Sequence, residues 1–194
     1  MNPTRAALIA LLVLAGSVPL PPRAQVVDGS RKSLSQIQIG SAKAQAGATL
    51  GIPISVRDGL GSPLGIEREA GASVQSIALR VRVLPATAVV DARVERAGVT
   101  ASATLRFEVS PRTVDGVSWL AVFDDPVAPL LLPPRTTSTV AMLQLTLAST
   151  VRPGDRIELR LDPAVSVLAN GAGTVQESVA NGWVTLRDGL ITVR

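Results

Sequence analysis

A chain of 194 residues can bury one sound core, and at 46% hydrophobic but 2% aromatic that core must be built from Val, Leu, Ile and Ala. It holds no Cys and no His, which removes disulfides, thiolate catalysis, zinc–thiolate sites, the usual base of a hydrolase triad and most transition-metal sites. The formal net charge is only +4, and the pI near 10.9 reflects the lack of His, Cys and Tyr rather than a strong field. Lys32 and Lys43 are the only lysines, and acids are interspersed with the arginines without a basic run. No nucleic-acid partner is expected from that pattern.

Residues 1–24 read as a secretory signal peptide, with Arg5 as the positive end and Ala6 to Gly16 as a short apolar stretch. Small residues at Ala15, Ser17 and Ala24 allow cleavage after Ser17 or after Ala24. The segment LVLAGS approaches a lipobox, but Ser17 stands where the lipidated Cys would be, so no lipid anchor is expected. The apolar stretch is short for a membrane span and no second one follows, so the expected product is secreted, with no membrane span in its mature form. Residues 25–36 form a polar leader, and 37–194 a single domain.

From Ile37 onward, alternation with a period of two dominates. Ile37 and Ile39 open one strand; Leu50, Ile52, Ile54 and Val56 mark the next, with Pro53 on the opposite parity, as suits an edge or a bulge. Residues 57–74 are a long Gly-rich excursion. Ser76 to Pro85, SIALRVRVLP, then puts Ile77, Leu79, Val81 and Val83 on one face and Ala78, Arg80 and Arg82 on the other. Further strands are read at Ala88 to Arg96, at Ala101 to Val109 with Ala103, Leu105 and Phe107 facing one way, and at Val117, Trp119, Ala121 and Phe123. A proline-rich connection runs from Asp124 to Thr137, where Asp124–Asp125 before Pro126 is a turn signal. Leu143, Leu145 and Leu147, then Ile157, Leu159 and Leu161, make two more stripes, and Trp183 to Leu186 and Leu190 to Val193 close the chain. Pro153–Gly154, Asn170–Gly171 and Asn181–Gly182 punctuate them. About nine short strands, and no sustained helical period after the signal peptide, define an all-β fold, an antiparallel β-sandwich.

The ordered pattern resembles the cohesin family, jelly-roll receptor modules of bacterial scaffolding proteins related in fold to some carbohydrate-binding modules. IQIGSAKAQAGATLGIPISV, Ile37 to Val56, is similar to the family's first two strands, with Gly47, Thr49, Ile52, Pro53 and Ile54 at the matching positions. Gln75 to Val99 follows with Pro85, Val89, Val90, Val94 and Gly98 in place, although Leu84 replaces the usual Asp. Val140 to Leu161, VAMLQLTLASTVRPGDRIELRL, and the terminal DGLITV complete a likeness that spans Ile37 to Val193. The loop after Arg57 is longer than in cellulosomal members, and there is no second module and no calcium loop of the form D-x-[DN]-x-[DN]-G.

The resemblance implies a jelly roll, no enzymatic activity, and a dockerin-like protein partner engaged largely through one sheet face, with a link to polysaccharide breakdown. On that reading Arg80 and Arg82, with Arg106 and Glu108 on a neighbouring strand, are the partner-binding residues, since guanidinium forks suit carboxylates. The competing reading of the same four is a solvated face of cross-strand ion pairs. Asp58, Glu67 and Glu69 raise a loop calcium site or a glycosidase-like carboxylate pair against plain solvated charges, and no cofactor is expected. Trp119 shares parity with the core, while Trp183 beside an Asn-Gly turn is the one ring open to a sugar, so a carbohydrate-binding or envelope-associated adhesion module is the alternative function.

Overall fold

The computed structural model describes residues 34–59, 74–123, 132, 135–170 and 175–194, and these form two β-sheets packed face to face. The first has the order β13–β1–β3–β9–β5, built from Val184–Arg187, Ser35–Ile39, Thr49–Arg57, Thr137–Leu147 and Val89–Arg96. In the second, β4 (Ser76–Leu84) is central. One edge of β4 pairs with β10 (Arg156–Leu161) and β11 (Val167–Ala169), which continue into β14 (Gly189–Val193), β2 (Ala42–Ala44) and β12 (Gln176–Ser178). Its other edge takes β8 (Gly116–Phe123), on which β6 (Leu105–Val109) and β7 (Arg112–Thr113) pair in turn. Among the described residues the helical turns are 3-10, at Ala86–Ala88 and Gly98–Thr100.

The alternation read from the sequence is the reason these segments are strands. Ile52, Ile54 and Val56, Ile77 to Val83, and Leu143 to Leu147 turn one parity inward, and all are buried. Trp119, 1% exposed, is the largest side chain of that core, as its parity requires. Each fully buried aliphatic contributes about 1.5–3 kcal/mol, so a core nearly free of rings is sufficient for this length. Pro53 sits in β3 just beyond the last pairing with β1, and a bulge follows at Ile54/Ser55. Both explain why a residue without an N–H is tolerated there.

The all-β sandwich is as expected, with three differences in detail. The described residues contain fourteen strands rather than about nine, because β2, β7, β11 and β12, of two or three residues each, are too short to show an alternation. The chain leaves the first sheet after Ile39 and joins the second at Ala42; near the C-terminus it makes the same passage at Asp188. These two crossing strands run parallel to each other, β1 with β13 and β2 with β14, so the sandwich is not purely antiparallel. They pass closely enough that a Cβ on Gly189 would lie 2.2 Å from the Gly40 carbonyl oxygen. Finally, Ser35 and Gln36, read as leader, belong to β1, where the buried Ser35 hydroxyl donates to Glu177 Oε2 at 2.7 Å. The signal peptide, Glu67, Glu69 and the Asp124–Asp125 turn lie outside the described residues, in which no helix is long and apolar enough to cross a membrane.

Candidate protein-docking face

The outer face of the second sheet is ordered in rows by the strand register. Ser76 lies between Val122 and Ala169, and Phe107 continues the row beyond Val122. The next row runs Val109, Leu120, Ala78, Val167. All four residues of this second row are half-buried, as are Phe107 and Val122, so the two rows make an apolar patch on a face where solvent-side residues are usually polar. Below it the chemistry changes: Ser118 stands opposite Arg80, then Gly116, Arg82 and Arg160 share a row, and Leu84 pairs with Glu158.

The arginines are held in place by a carboxylate that sequence reading missed. Asp115 occupies the turn between β7 and β8, where its backbone carbonyl accepts the Val83 amide at 2.7 Å. Its side chain accepts Arg80 Nη2 at 2.9 Å on Oδ1 and Arg82 Nε at 2.7 Å on Oδ2, and Thr113 Oγ1 donates to Oδ1 at 3.3 Å. The hydrogen bonds from Arg82 and then Arg80 hold the Asp115 carboxyl down from 3.8 to about 2, with their positive charge adding to the effect and burial opposing it. Arg80 also approaches Asp162 at 3.9 Å. Arg82 and Arg160 face each other across β4 and β10, a repulsive pairing that Asp115 on one side and Glu158, 2.6 Å from Arg160 Nη2, on the other offset. The result is a set of guanidinium groups with fixed geometry and little net charge.

Of the four residues expected at the face, Arg80 and Arg82 are there together. Glu108 is not, and the reason is a bulge. Leu105 pairs with Phe123, yet Phe107 pairs with Val122, so the register slips by one at Arg106 and every later side chain of β6 changes face. Phe107, expected to face the same way as Leu105, turns outward into the apolar patch. Glu108 turns inward, where it accepts Trp119 Nε1 at 2.9 Å and Arg96 Nε at 3.2 Å. Arg96 also donates to the carbonyl of Ala103 at 2.8 Å, so this cluster ties the β5 edge of the first sheet to β6 of the second. It forms one wall of a depression of about 340 Å3 lined by Val94, Arg96, Ala101, Glu108 and Ser110. Arg106 is exposed at the bulge itself.

The remaining candidates are dispersed. Asp58 is buried at the end of β3, where its backbone carbonyl accepts the Arg135 amide, and the described residues bring no group of three acidic side chains together for a metal. Trp183 is half-buried before β13, and no other described ring stands beside it on that strand. Leu120 and Val122 were the legible signal for the apolar patch, since β8 is hydrophobic on both parities.

No protein-family model matches the chain, and no curated protein matches it. Solved structures do. The third cohesin ScaC of Acetivibrio cellulolyticus, in complex with the ScaB dockerin, superposes with a TM-score of 0.59 at 16% identity over 82% of this chain and 99% of that one. The Coh-OlpA–Doc918 cohesin–dockerin complex of Clostridium thermocellum gives 0.56 at 12% identity over 83% and 99%. A non-cellulosomal cohesin of the archaeon Archaeoglobus fulgidus gives 0.52 at 15% identity over 84% and 92%. The chain therefore has a cohesin-like fold, as the sequence motifs imply.

Proposed function

We propose that the chain is a secreted protein–protein recognition module that takes a dockerin-type partner on the outer face of its second sheet. The observation that carries this reading is the apolar patch from Phe107 to Val167 set against Arg80 and Arg82, both immobilised by Asp115. An interface of that kind has an apolar centre that excludes water and an arginine rim that chooses partners. Fixing the guanidinium groups before binding removes part of the ordering cost that a flexible arginine would incur. Similar folds solved with dockerins bound supply the partner class. Secretion rests on the N-terminal pattern of residues 1–24, and the link to polysaccharide breakdown on an enzyme that the partner module would carry. No catalytic role is assigned to any residue.

The test is calorimetric titration with purified, calcium-loaded dockerin modules, repeated after chelation, which strips the partner's calcium. Saturable binding lost on chelation supports the reading. Absence of binding across modules of different types, at concentrations up to about 0.1 mM, where free energies are only about 5–6 kcal/mol, would sink it.

A further inference from the structure

Among the described residues the ion pairs are unevenly placed. Arg80, Arg82, Arg93, Arg96 and Arg160 each meet a carboxylate, and all five lie on the second sheet or on the edge strand β5. The outer face of the first sheet carries Asp91 and the Arg93–Glu95 pair along its β5 edge, but away from that edge it is different. The four strands β1, β3, β9 and β13 contain no Asp or Glu at any position. Yet Arg57 and Arg187 stand on that face, both exposed, and neither makes an ion pair among the described residues.

The register fixes what surrounds them. Arg57 is level with Gln36, which is level with Thr185; one step along, Ser55, Gln38 and Arg187 share a row. Thr137 flanks Arg57 on the other side, and Ser55 and Thr139 hydroxyls are 3.4 Å apart. Two interstrand spacings and one register step separate the arginines, about 12 Å between Cα atoms, with only amides and hydroxyls between them. Arg57 uses Nε on the Arg135 carbonyl at 3.3 Å, which aims the group, and among the described residues neither Nη atom has a partner. Arg135, also exposed and without an ion pair among the described residues, is held at φ 61°, a left-handed conformation unfavourable for a side chain of its kind. Of the acids next to these arginines in the chain, Asp58 is buried and Asp188 Oδ1 accepts the Leu161 amide in the second sheet.

We infer that this face, centred on Arg57, Gln36, Gln38 and Arg187, is a second binding surface whose ligand is an acidic polysaccharide bearing carboxylates. Arginine forks pair bidentately with carboxylates, and glutamine and threonine side chains between them match a ligand rich in hydroxyl groups. An anionic membrane is disfavoured because no large apolar side chain projects from these rows to enter it. A single-stranded nucleic acid is disfavoured because the face has no aromatic ring for a base to stack on. The inference stands apart from the docking face: it concerns the opposite sheet and survives if no dockerin binds. Together the two faces would let one module hold a protein on one side and a glycan on the other.

The test is affinity electrophoresis of the full chain in gels containing polygalacturonate, with neutral dextran gels and phosphatidylglycerol vesicles as separate arms. The expected result is retardation by polygalacturonate alone, released at about 1 M salt, where the Debye length is about 3 Å. Replacing both arginines (R57E with R187E) should weaken retardation about tenfold or more, since each removes a charge-assisted contact. Thermal unfolding checks that this variant is folded; if it is not, R57Q with R187Q is read instead. Absence of retardation, equal retardation of a folded variant, equal retardation by dextran, or binding to the vesicles in preference to polygalacturonate would each overturn the proposal.

Discussion

Trp119 Nε1 donates to Glu108 Oε1 at 2.9 Å, which makes the largest side chain of the inner core the anchor of a carboxylate that reaches across to the other sheet. Glu108 thereby has a structural task, joining β6 to β5 through Arg96 where no backbone ladder connects the two edges. Removing it leaves the indole N–H and Arg96 Nε without their acceptor. Glu108→Ala should cost about 1–3 kcal/mol, seen as a lower urea midpoint with an unchanged slope. Glu108→Gln keeps an acceptor for the indole and should recover part of the loss. If both variants unfold like the parent, the cluster contributes nothing.

Asp115 links stability to pH. Its carboxyl is lowered from 3.8 to about 2 by the hydrogen bonds of Arg82 and Arg80. A depressed folded-state value means that the unfolded chain binds the proton first, so the contribution is fully present above pH 3.8 and disappears as pH falls toward 2. The unfolding midpoint of the parent should drop through that window more steeply than that of Asp115→Asn. Parallel curves for the two would remove the clamp from the account.

Gly116 faces Arg82 across β4 and β8, and a Cβ there would sit 1.9 Å from the Val81 carbonyl oxygen. Backbone cannot give way as a flexible side chain can. Gly116→Ala should separate the strands beneath the arginines and destabilise by about 2 kcal/mol or more, the range of overpacking in a close contact. Circular dichroism melts of the purified variant would show it. An unchanged melting temperature would mean that the two strands are less tightly apposed than described.

The strands were legible because alternation depends only on which parity is apolar, and burial follows that parity in β3, β4, β8, β9 and β10. Two features were hidden for physical reasons. The slip at Arg106 exists only in the pairing of β6 with β8, so Leu105 and Phe107 look alike in the sequence yet face opposite ways. The clamp on Arg80 joins residues 35 positions apart, and an Asp before Gly116 signals a turn without saying which side chains the turn will meet. Arg80 and Arg82 could be placed on a face from their own strand; Glu108 could not, because its orientation depended on the bulge.

The outer apolar patch leads to a prediction that separates a docking face from a merely solvated one. Leu120 lies in its second row, between Val109 and Ala78, while Gln144 lies on the outer face of the other sheet between Gly51 and Arg93. The most direct measurement is the affinity of Leu120→Asp and of Gln144→Asp for a dockerin module that the parent binds, each variant first shown to be folded. Burying an unpaired carboxylate in an interface costs several kcal/mol, so Leu120→Asp should weaken binding about a hundredfold or more and Gln144→Asp hardly at all. Equal affinity for Leu120→Asp and the parent, or a loss confined to Gln144→Asp, would contradict the assignment of the second sheet as the docking face.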